Sequence, residues 1–245
     1  MGVALQGAYL LSLPGLTPYS EAFALQRSLA GAVSQGAIPD TVVFCEHEPV
    51  VTLGRRTEMG EVHLPPGVSV EIVETDRGGK STFHGPGQLV CYPILDLKRH
   101  GQDLKRYVRD LEEALIRTLT GLGLDGTRIA GLTGVWLAAS ATAPPRKIAS
   151  IGVRATRWVT THGYALNVDL DPTPFTGWIT ACGLEDSAFT TMAAELARPV
   201  AIDEVRPVAV AALSEVFGLV FEELPAEDGA GLWAQPVHEK LASRG

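Results

Sequence analysis

The stretch at residues 75–93, TDRGGKSTFHGPGQLVCYP, constrains this chain more than any other. Gly78, Gly79, Gly85 and Gly87 give it main chain without Cβ atoms, able to turn sharply and to lie close to a bound molecule. Arg77, Lys80 and His84 sit among them, and the apolar run 89–94 that follows reads as a buried strand. A glycine-rich loop that carries two cations and an imidazole into a buried strand is one way a fold builds the wall of a site. The alternative is a long hairpin connection. Gly79-Lys80-Ser81 imitates the end of a phosphate-binding loop, but that motif requires another glycine where Glu74 stands, and a helix rather than a strand afterwards. Nucleotide triphosphate binding is therefore not expected here.

Composition narrows the class. The length of 245 residues suits one large domain or two small ones. With 46% hydrophobic and 20% charged residues the chain has the balance of a globular protein that buries a core. A net charge of −8 argues against nucleic acid as a partner. No apolar run approaches the length of a membrane span, and the N-terminal MGVALQGAYLLSLPG lacks a basic segment and a clear cleavage site, as expected of mature protein. Cys45, Cys91 and Cys182 are odd in number and far apart, which predicts free thiols in a reducing, cytoplasmic compartment. Without a CxxC pair or an HxxxH no structural zinc is expected.

Taken in order, residues 9–13 read as a strand, and Thr17-Pro18 as an N-cap with proline at the first helical position. A helix with an apolar stripe from Tyr19 to Val33 should then end at Gly36. Strands are expected at 41–44 and 50–53, broken by the polar Glu46-His47-Glu48-Pro49, and at 68–74 and 89–95 on either side of the glycine-rich loop. Asp103 should cap a helix whose Leu104, Tyr107, Leu111, Leu115 and Leu119 face the core, with Arg99, Lys105, Arg106 and Arg109 on a solvated face. Three strands follow, at 135–137, 148–154 and 159–168. Gly163 interrupts the last, suggesting that its backbone closely approaches some other group. Residues 173–184 read as irregular, and Asp203 should cap a last helix ending near Phe217. The pattern describes one α+β domain, its mixed or antiparallel sheet packed with helices.

Chemistry concentrates in few residues. Cys182, in Thr180-Ala181-Cys182-Gly183, is flanked by small residues that leave its sulfur reachable, whereas Cys45 and Cys91 lie in apolar strands as small core hydrophobes. Lys147 opens an apolar strand; it is either a solvated edge lysine or an inward ammonium that favours a nearby thiolate. His84 and His162 each adjoin a glycine and could orient a thiol or satisfy a buried carbonyl, so residue types alone also allow a cysteine–histidine hydrolase.

Three segments, RGGKSTFHGPGQLVCYPI, KIASIGVRATRWVTTHGYALNV and ITACGL, resemble the lipoyl(octanoyl) transferase family in their order and spacing, within a likeness running from about residue 42 to 196. The resemblance implies the fold of the biotin and lipoate protein ligases. It implies transfer of an octanoyl group from octanoyl-acyl carrier protein to a lysine of lipoyl domains, those of 2-oxoacid dehydrogenase complexes and of the glycine cleavage H protein. It makes Cys182 the residue that carries the acyl thioester and Lys147 the catalytic lysine. It places acyl binding on Arg77, Gly78, Gly79, Lys80, Ser81, Thr82, Phe83 and His84, on Ser150, Ile151 and Gly152, and on Gly163, Tyr164 and Ala165. No cofactor is implied, because a thioester is already activated; an ATP-dependent lipoate or biotin ligase and a non-catalytic acyl-binding module are the competing readings. Arg55, Arg56, Arg154 and Arg157 are candidates for docking acidic partners. Ala181 departs from the proline common in the family, the stretch 138–146 is longer than expected, and residues 222–245 form a tail without an assigned role beyond a catalytic domain of residues 1–221.

Overall fold

The structure, a computed structural model, describes residues 5–140, 143–180 and 188–225. Strand β1 (Gln6–Thr17) leads into helix α1 (Tyr19–Ser34), then β2 (Asp40–His47), β3 (Val50–Leu53), β4 (Glu71–Glu74), β5 (Thr82–His84) and β6 (Gln88–Ile94). Helix α2 (Leu104–Gly121) is followed by β7 (Gly126–Ile129), β8 (Leu132–Leu137), β9 (Arg146–Thr156) and β10 (Val159–Asn167). The short α3 (Thr173–Gly177), β11 (Ala188–Phe189), α4 (Met192–Leu196), α5 (Ile202–Phe217) and β12 (Leu219–Leu224) complete the described chain.

The main sheet runs in the order β12-β1-β2-β6-β10-β9-β8-β7, with β11 added beside β9. β1 is parallel to both β12 and β2. From β2 through β6, β10, β9 and β8 to β7 every pairing is antiparallel. A small second sheet, β4-β3-β5, lies apart from it. Alternation along the central strands explains the layering. Val42 and Phe44 of β2, with Leu89 and Cys91 of β6, join the core shared with α2 and α5. Their neighbours Val43, Cys45, Val90 and Tyr92 face α1. The sheet is thus covered on both faces, and β12 continues to Leu224, past the 221/222 division drawn from the sequence.

The mixed sheet and its helices match the sequence reading, and Asp103 caps α2 as expected, its carboxylate accepting from the backbone N–H groups of Lys105 and Arg106 at 2.8 and 3.1 Å. Two caps are corrected. Thr17 makes no cap: it ends β1, paired with His47, and helix α1 starts behind Pro18 with no side-chain cap. Asp203 stands inside the first turn of α5, behind Ala201, where its charge favours the helix N-terminus without bonding it. The strand expected at 68–74 is confined to Glu71–Glu74, and the break expected at Glu46-His47-Glu48-Pro49 narrows to residues 48–49, because β2 runs through to a fully buried His47.

Candidate active site

The glycine-rich loop crosses the sheet on the α1 face. Its path is set by Arg77, a buried guanidinium whose Nη1 donates to the carbonyls of Gly78 and Lys80 (3.2 and 2.7 Å) and whose Nη2 donates to the carbonyl and hydroxyl of Thr52 (both 2.8 Å). The Gly78 N–H donates to the Val153 carbonyl at 3.0 Å, laying the loop on β9. The space beneath it is tight: a Cβ on Gly152 would lie 3.0 Å from the Gly78 carbonyl oxygen and 3.1 Å from Arg77 Cδ. Directly opposite Gly152 in the ladder, Gly163 sits against β6, where a Cβ would collide with the Cys91 carbonyl and lie 2.7 Å from Pro93 Cδ. The close approach expected at Gly163 is therefore that of the neighbouring strand.

Between loop and sheet lies a cleft. It brings together Arg77, Gly79, Lys80, Ser81, Thr82 and His84 from the loop, Lys147 and Ser150–Gly152 from β9, and Gly163–Ala165 from β10. His162 also lines it, with Tyr19, Val90 and Tyr92, three residues not singled out from sequence. Two of the expected contacts lie elsewhere. Gly78 serves through its backbone bond to β9, and Phe83 turns away into a satellite core, edge-on to Phe175 and Trp178 at 6.0 and 5.4 Å. Cys182 lies outside the described residues.

Lys147 is an inward lysine, only 4% exposed, its Nζ 5.2 Å from the centre of the Trp136 ring. The described chain on each side of residues 181–187 is tied to the cleft. On one side the Thr180 N–H donates to the Glu61 carbonyl at 2.8 Å, and the Glu61 carboxylate accepts from Lys80 Nζ at 2.6 Å and Ser81 Oγ at 3.3 Å. On the other side Phe189 pairs with Lys147 in the β11–β9 ladder, and the Thr190 N–H donates to the Lys147 carbonyl at 3.0 Å. Glu61 first, then Glu58, hold the Lys80 ammonium pKa above its ordinary value.

Behind the cleft the polar groups form a directed network. Asn167 Nδ2 donates to the Thr190 carbonyl (3.0 Å), which turns its Oδ1 toward Gln88 Nε2 (2.9 Å) and leaves Gln88 Oε1 to accept from His84 Nδ1 at 2.7 Å. His84 is thereby fixed with its proton on Nδ1 and a lone pair on Nε2. His47 follows the same logic: Nδ1 donates to the Thr17 carbonyl at 2.9 Å, so Nε2 accepts from the Tyr92 hydroxyl at 2.6 Å. Burial, and for His84 the neighbouring His47, lowers these imidazole pKa values to about 3 for His84 and about 4 for His47. Burial likewise raises that of Tyr19 to about 12 and that of Tyr92 well above the usual range. His162 differs: its backbone is left-handed (φ 59°), its N–H donates to Gln26 Oε1 at 2.7 Å, and its Nε2 lies 2.7 Å from Asp76 Oδ1.

His47 was hidden by its setting, since a charged Glu-His-Glu-Pro run looks like a surface break. The one local signal was that the apolar run before it has strand length and leaves His47 in phase with the inward residues Val43 and Cys45.

Residues 18–214 match the family model of the lipoyl protein ligase A/B catalytic domain. An octanoyltransferase of Mycobacterium leprae is 48% identical over 201 residues, covering 82% of this chain and 84% of that protein. One from Chloroflexus aurantiacus is 46% identical over 210 residues, covering 84% of this chain and 92% of that protein. Among solved structures, a bipartite lipoate protein ligase of Thermoplasma acidophilum, from a study of an archaeal lipoylation system and its E2 lipoyl domain, superposes with a TM-score of 0.69 at 16% identity. It covers 94% of this chain and 93% of that one, and it shows a shared fold. With the sequence segments and the cleft they frame, these likenesses establish that the chain belongs to the lipoyl protein ligase A/B catalytic-domain family and, within it, to the octanoyltransferases, acyltransferases of protein lipoylation.

Proposed function

We propose that the chain takes an octanoyl group from an octanoyl-acyl carrier protein onto Cys182 as a thioester and passes it to a lysine of a lipoyl domain, in the cytoplasm. The observation that carries this reading is the convergence at Lys147: a buried lysine lines the cleft, and the strand that re-enters after residues 181–187 pairs with it. Cys182 stands two residues beyond Thr180, which is anchored to Glu61 beside Lys80.

The chemistry needs little else. An ammonium near a thiol favours the thiolate, the form that attacks a carbonyl. Exchange between two thioesters is nearly balanced, and capture by an amine to give an amide runs downhill, so no nucleotide is consumed. Lys147 gives a proton to the departing carrier thiol and later takes one from the incoming lysine. Backbone N–H groups near Cys182 and in the glycine-rich loop stabilise the tetrahedral oxyanion. The acyl chain lies along Gly152, Gly163 and Ala165, where each buried CH₂ contributes about 0.8 kcal/mol and so separates octanoyl from acetyl. Arg55 and Arg56, exposed at the rim with their N–H groups on the Arg77 and Gly79 carbonyls, are offered as part of the surface that meets acidic carriers. The catalytic domain, drawn from sequence at residues 1–221, takes in the rest of β12 to Leu224.

The test is an intact-mass measurement after mixing with octanoyl-acyl carrier protein without nucleotide. The expected result is a single octanoyl adduct, absent in Cys182→Ala, with transfer to a lipoyl domain reduced by orders of magnitude. Unchanged transfer by Cys182→Ala removes the covalent step, formation of an acyl-adenylate favours the ligase reading, and binding without turnover favours an acyl-binding module.

A further inference from the structure

Lys147 does not hold its direction by itself. Across the β8–β9 ladder Val135 pairs with Ala149 and Trp136 with Lys147, so one residue on β8 is matched by two on β9. Ile148 is the extra residue of a β-bulge, the irregularity by which a strand re-aims a side chain. Ile148 and Ala149 both enter the core, and Lys147 is left facing the cleft. Beside this bulge Gly134 has a φ of 112°, and a Cβ there would lie 2.5 Å from the Ala149 carbonyl oxygen, 2.9 Å from Lys147 Cε and 3.5 Å from Lys147 Nζ. The bare Cα of Gly134 is the surface on which the end of the lysine chain rests, with the Trp136 ring also against the ammonium.

Gly134 is held in turn from helix α2. Glu112 is 1% exposed, in the middle of a largely apolar helix face, and its Oε1 accepts from the Gly134 N–H at 3.2 Å. Its Oε2 accepts from Arg109 Nη1 at 2.7 Å and Arg128 Nε at 3.2 Å, so the buried charge is compensated and locked between α2, β7 and β8. One buried carboxylate thus ties the Gly134 N–H of β8 to two guanidinium groups.

We propose that Glu112 and Gly134 form a positioning element for Lys147: the carboxylate fixes the glycine backbone, and the glycine fixes where the ammonium stands. Neither touches substrate. The inference rests on Lys147 favouring the Cys182 thiolate, and the experiment separates the two. The readout is the pH midpoint of Cys182 alkylation by iodoacetamide, followed by peptide mass; Cys45 and Cys91 are buried. Lys147→Ala is expected to move the midpoint up toward the ordinary thiol value near ~8.5. Gly134→Ala and Glu112→Ala should move it the same way, and each combined with Lys147→Ala should move it no further than Lys147→Ala alone. Glu112→Gln, which retains an oxygen for the Gly134 N–H, should stay closer to the native midpoint than Glu112→Ala. Far-ultraviolet dichroism identifies the variants that fold, and should Gly134→Ala not fold, the Glu112 pair decides. A native midpoint in folded Gly134→Ala or Glu112→Ala, or shifts that add to that of Lys147→Ala, overturns the positioning element while leaving Lys147 its role. No shift in Lys147→Ala itself overturns both.

Discussion

On one side of the cleft His47 and His84 are sealed among Tyr19, Tyr92 and Gln88; on the other, His162 faces Asp76, whose side chain is 39% exposed. Burial dominates the first pair. It pushes both pKa values far below that of free imidazole, so the rings act as neutral, directed hydrogen-bonding groups. At His162 burial also lowers the pKa, but the hydrogen bond and charge of Asp76 oppose it, and Arg154 lies 3.4 Å from the same carboxylate. The first side offers one fixed imidazole lone pair, at His84 Nε2; the second links an imidazole lining the cleft to a carboxylate within reach of solvent. Burying a polar group therefore has two solutions here. One is a closed chain of donors and acceptors, the other a partner left half in water.

The most severe way to break this comparison is to part the two sides at their seam. Strand β10 carries His162 and Gly163, and β6 carries Gln88 and Tyr92. Gly163→Ala drives a methyl group into the β6 backbone at Cys91 and Pro93, which cannot retreat without breaking the Tyr164–Cys91 pairing. A loss of at least about 3 kcal/mol, or no folded protein, is expected. Guanidinium denaturation within about 1 kcal/mol of the native protein would show that the strands part easily and that the two sides are independent.

The next effect sharpens the difference through pH. For His47 and His84 the folded pKa lies below the unfolded value of about 6.5, so below pH 6.5 the unfolded chain binds protons that the folded one refuses. Their contribution is fully present above pH 6.5 and is lost as pH falls, toward 4 for His47 and toward 3 for His84, by about 1.4 kcal/mol per pH unit for each imidazole. Denaturation at pH 7, 6 and 5 should show this slope, and His84→Gln should remove one proton from it. His47→Phe should do the same and, by leaving the Tyr92 hydroxyl without its acceptor, lower stability by about 1–3 kcal/mol even at pH 7. A slope unchanged in both variants would mean that the rings are protonated in the folded state, against the closed network.

These groups also mark the limit of what the sequence shows. Apolar alternation and strand length give β2, β6 and β10, and glycine placement gives the loop, because those signals are local. Cys45 and Cys91 are buried free thiols, as an apolar strand setting implies. The failures share a cause. Thr17 has the chemistry of a cap, but its carbonyl is taken by His47, thirty residues away. By residue type Lys147 reads first as an edge cation, and its inward place depends on Gly134 and Trp136, which close around it. Glu61 and Glu112 look like surface carboxylates; what buries them is a lysine or arginine from another element. Polar residues inside a fold are held by partners distant in sequence, and a local period, even where it leaves His47 in phase with the inward residues, does not name those partners.

The mildest perturbation tests the wet side alone. Asp76→Asn keeps the size of the side chain and removes its charge. Because the carboxylate is well exposed, its hydrogen bond to His162 and its ion pair with Arg154 are weakened by solvent, and the change in stability at pH 7 should stay below about 1 kcal/mol. The charge state of His162 should nevertheless respond. Asp76 raises its pKa against burial, so with asparagine in place nothing of comparable strength opposes desolvation, and the imidazole should titrate at lower pH. Following the His162 ring protons by NMR between pH 4 and 8 reads this directly. An unchanged or higher midpoint in Asp76→Asn would mean that the Asp76 charge does not act on this ring, and the contrast between the two sides of the cleft would disappear.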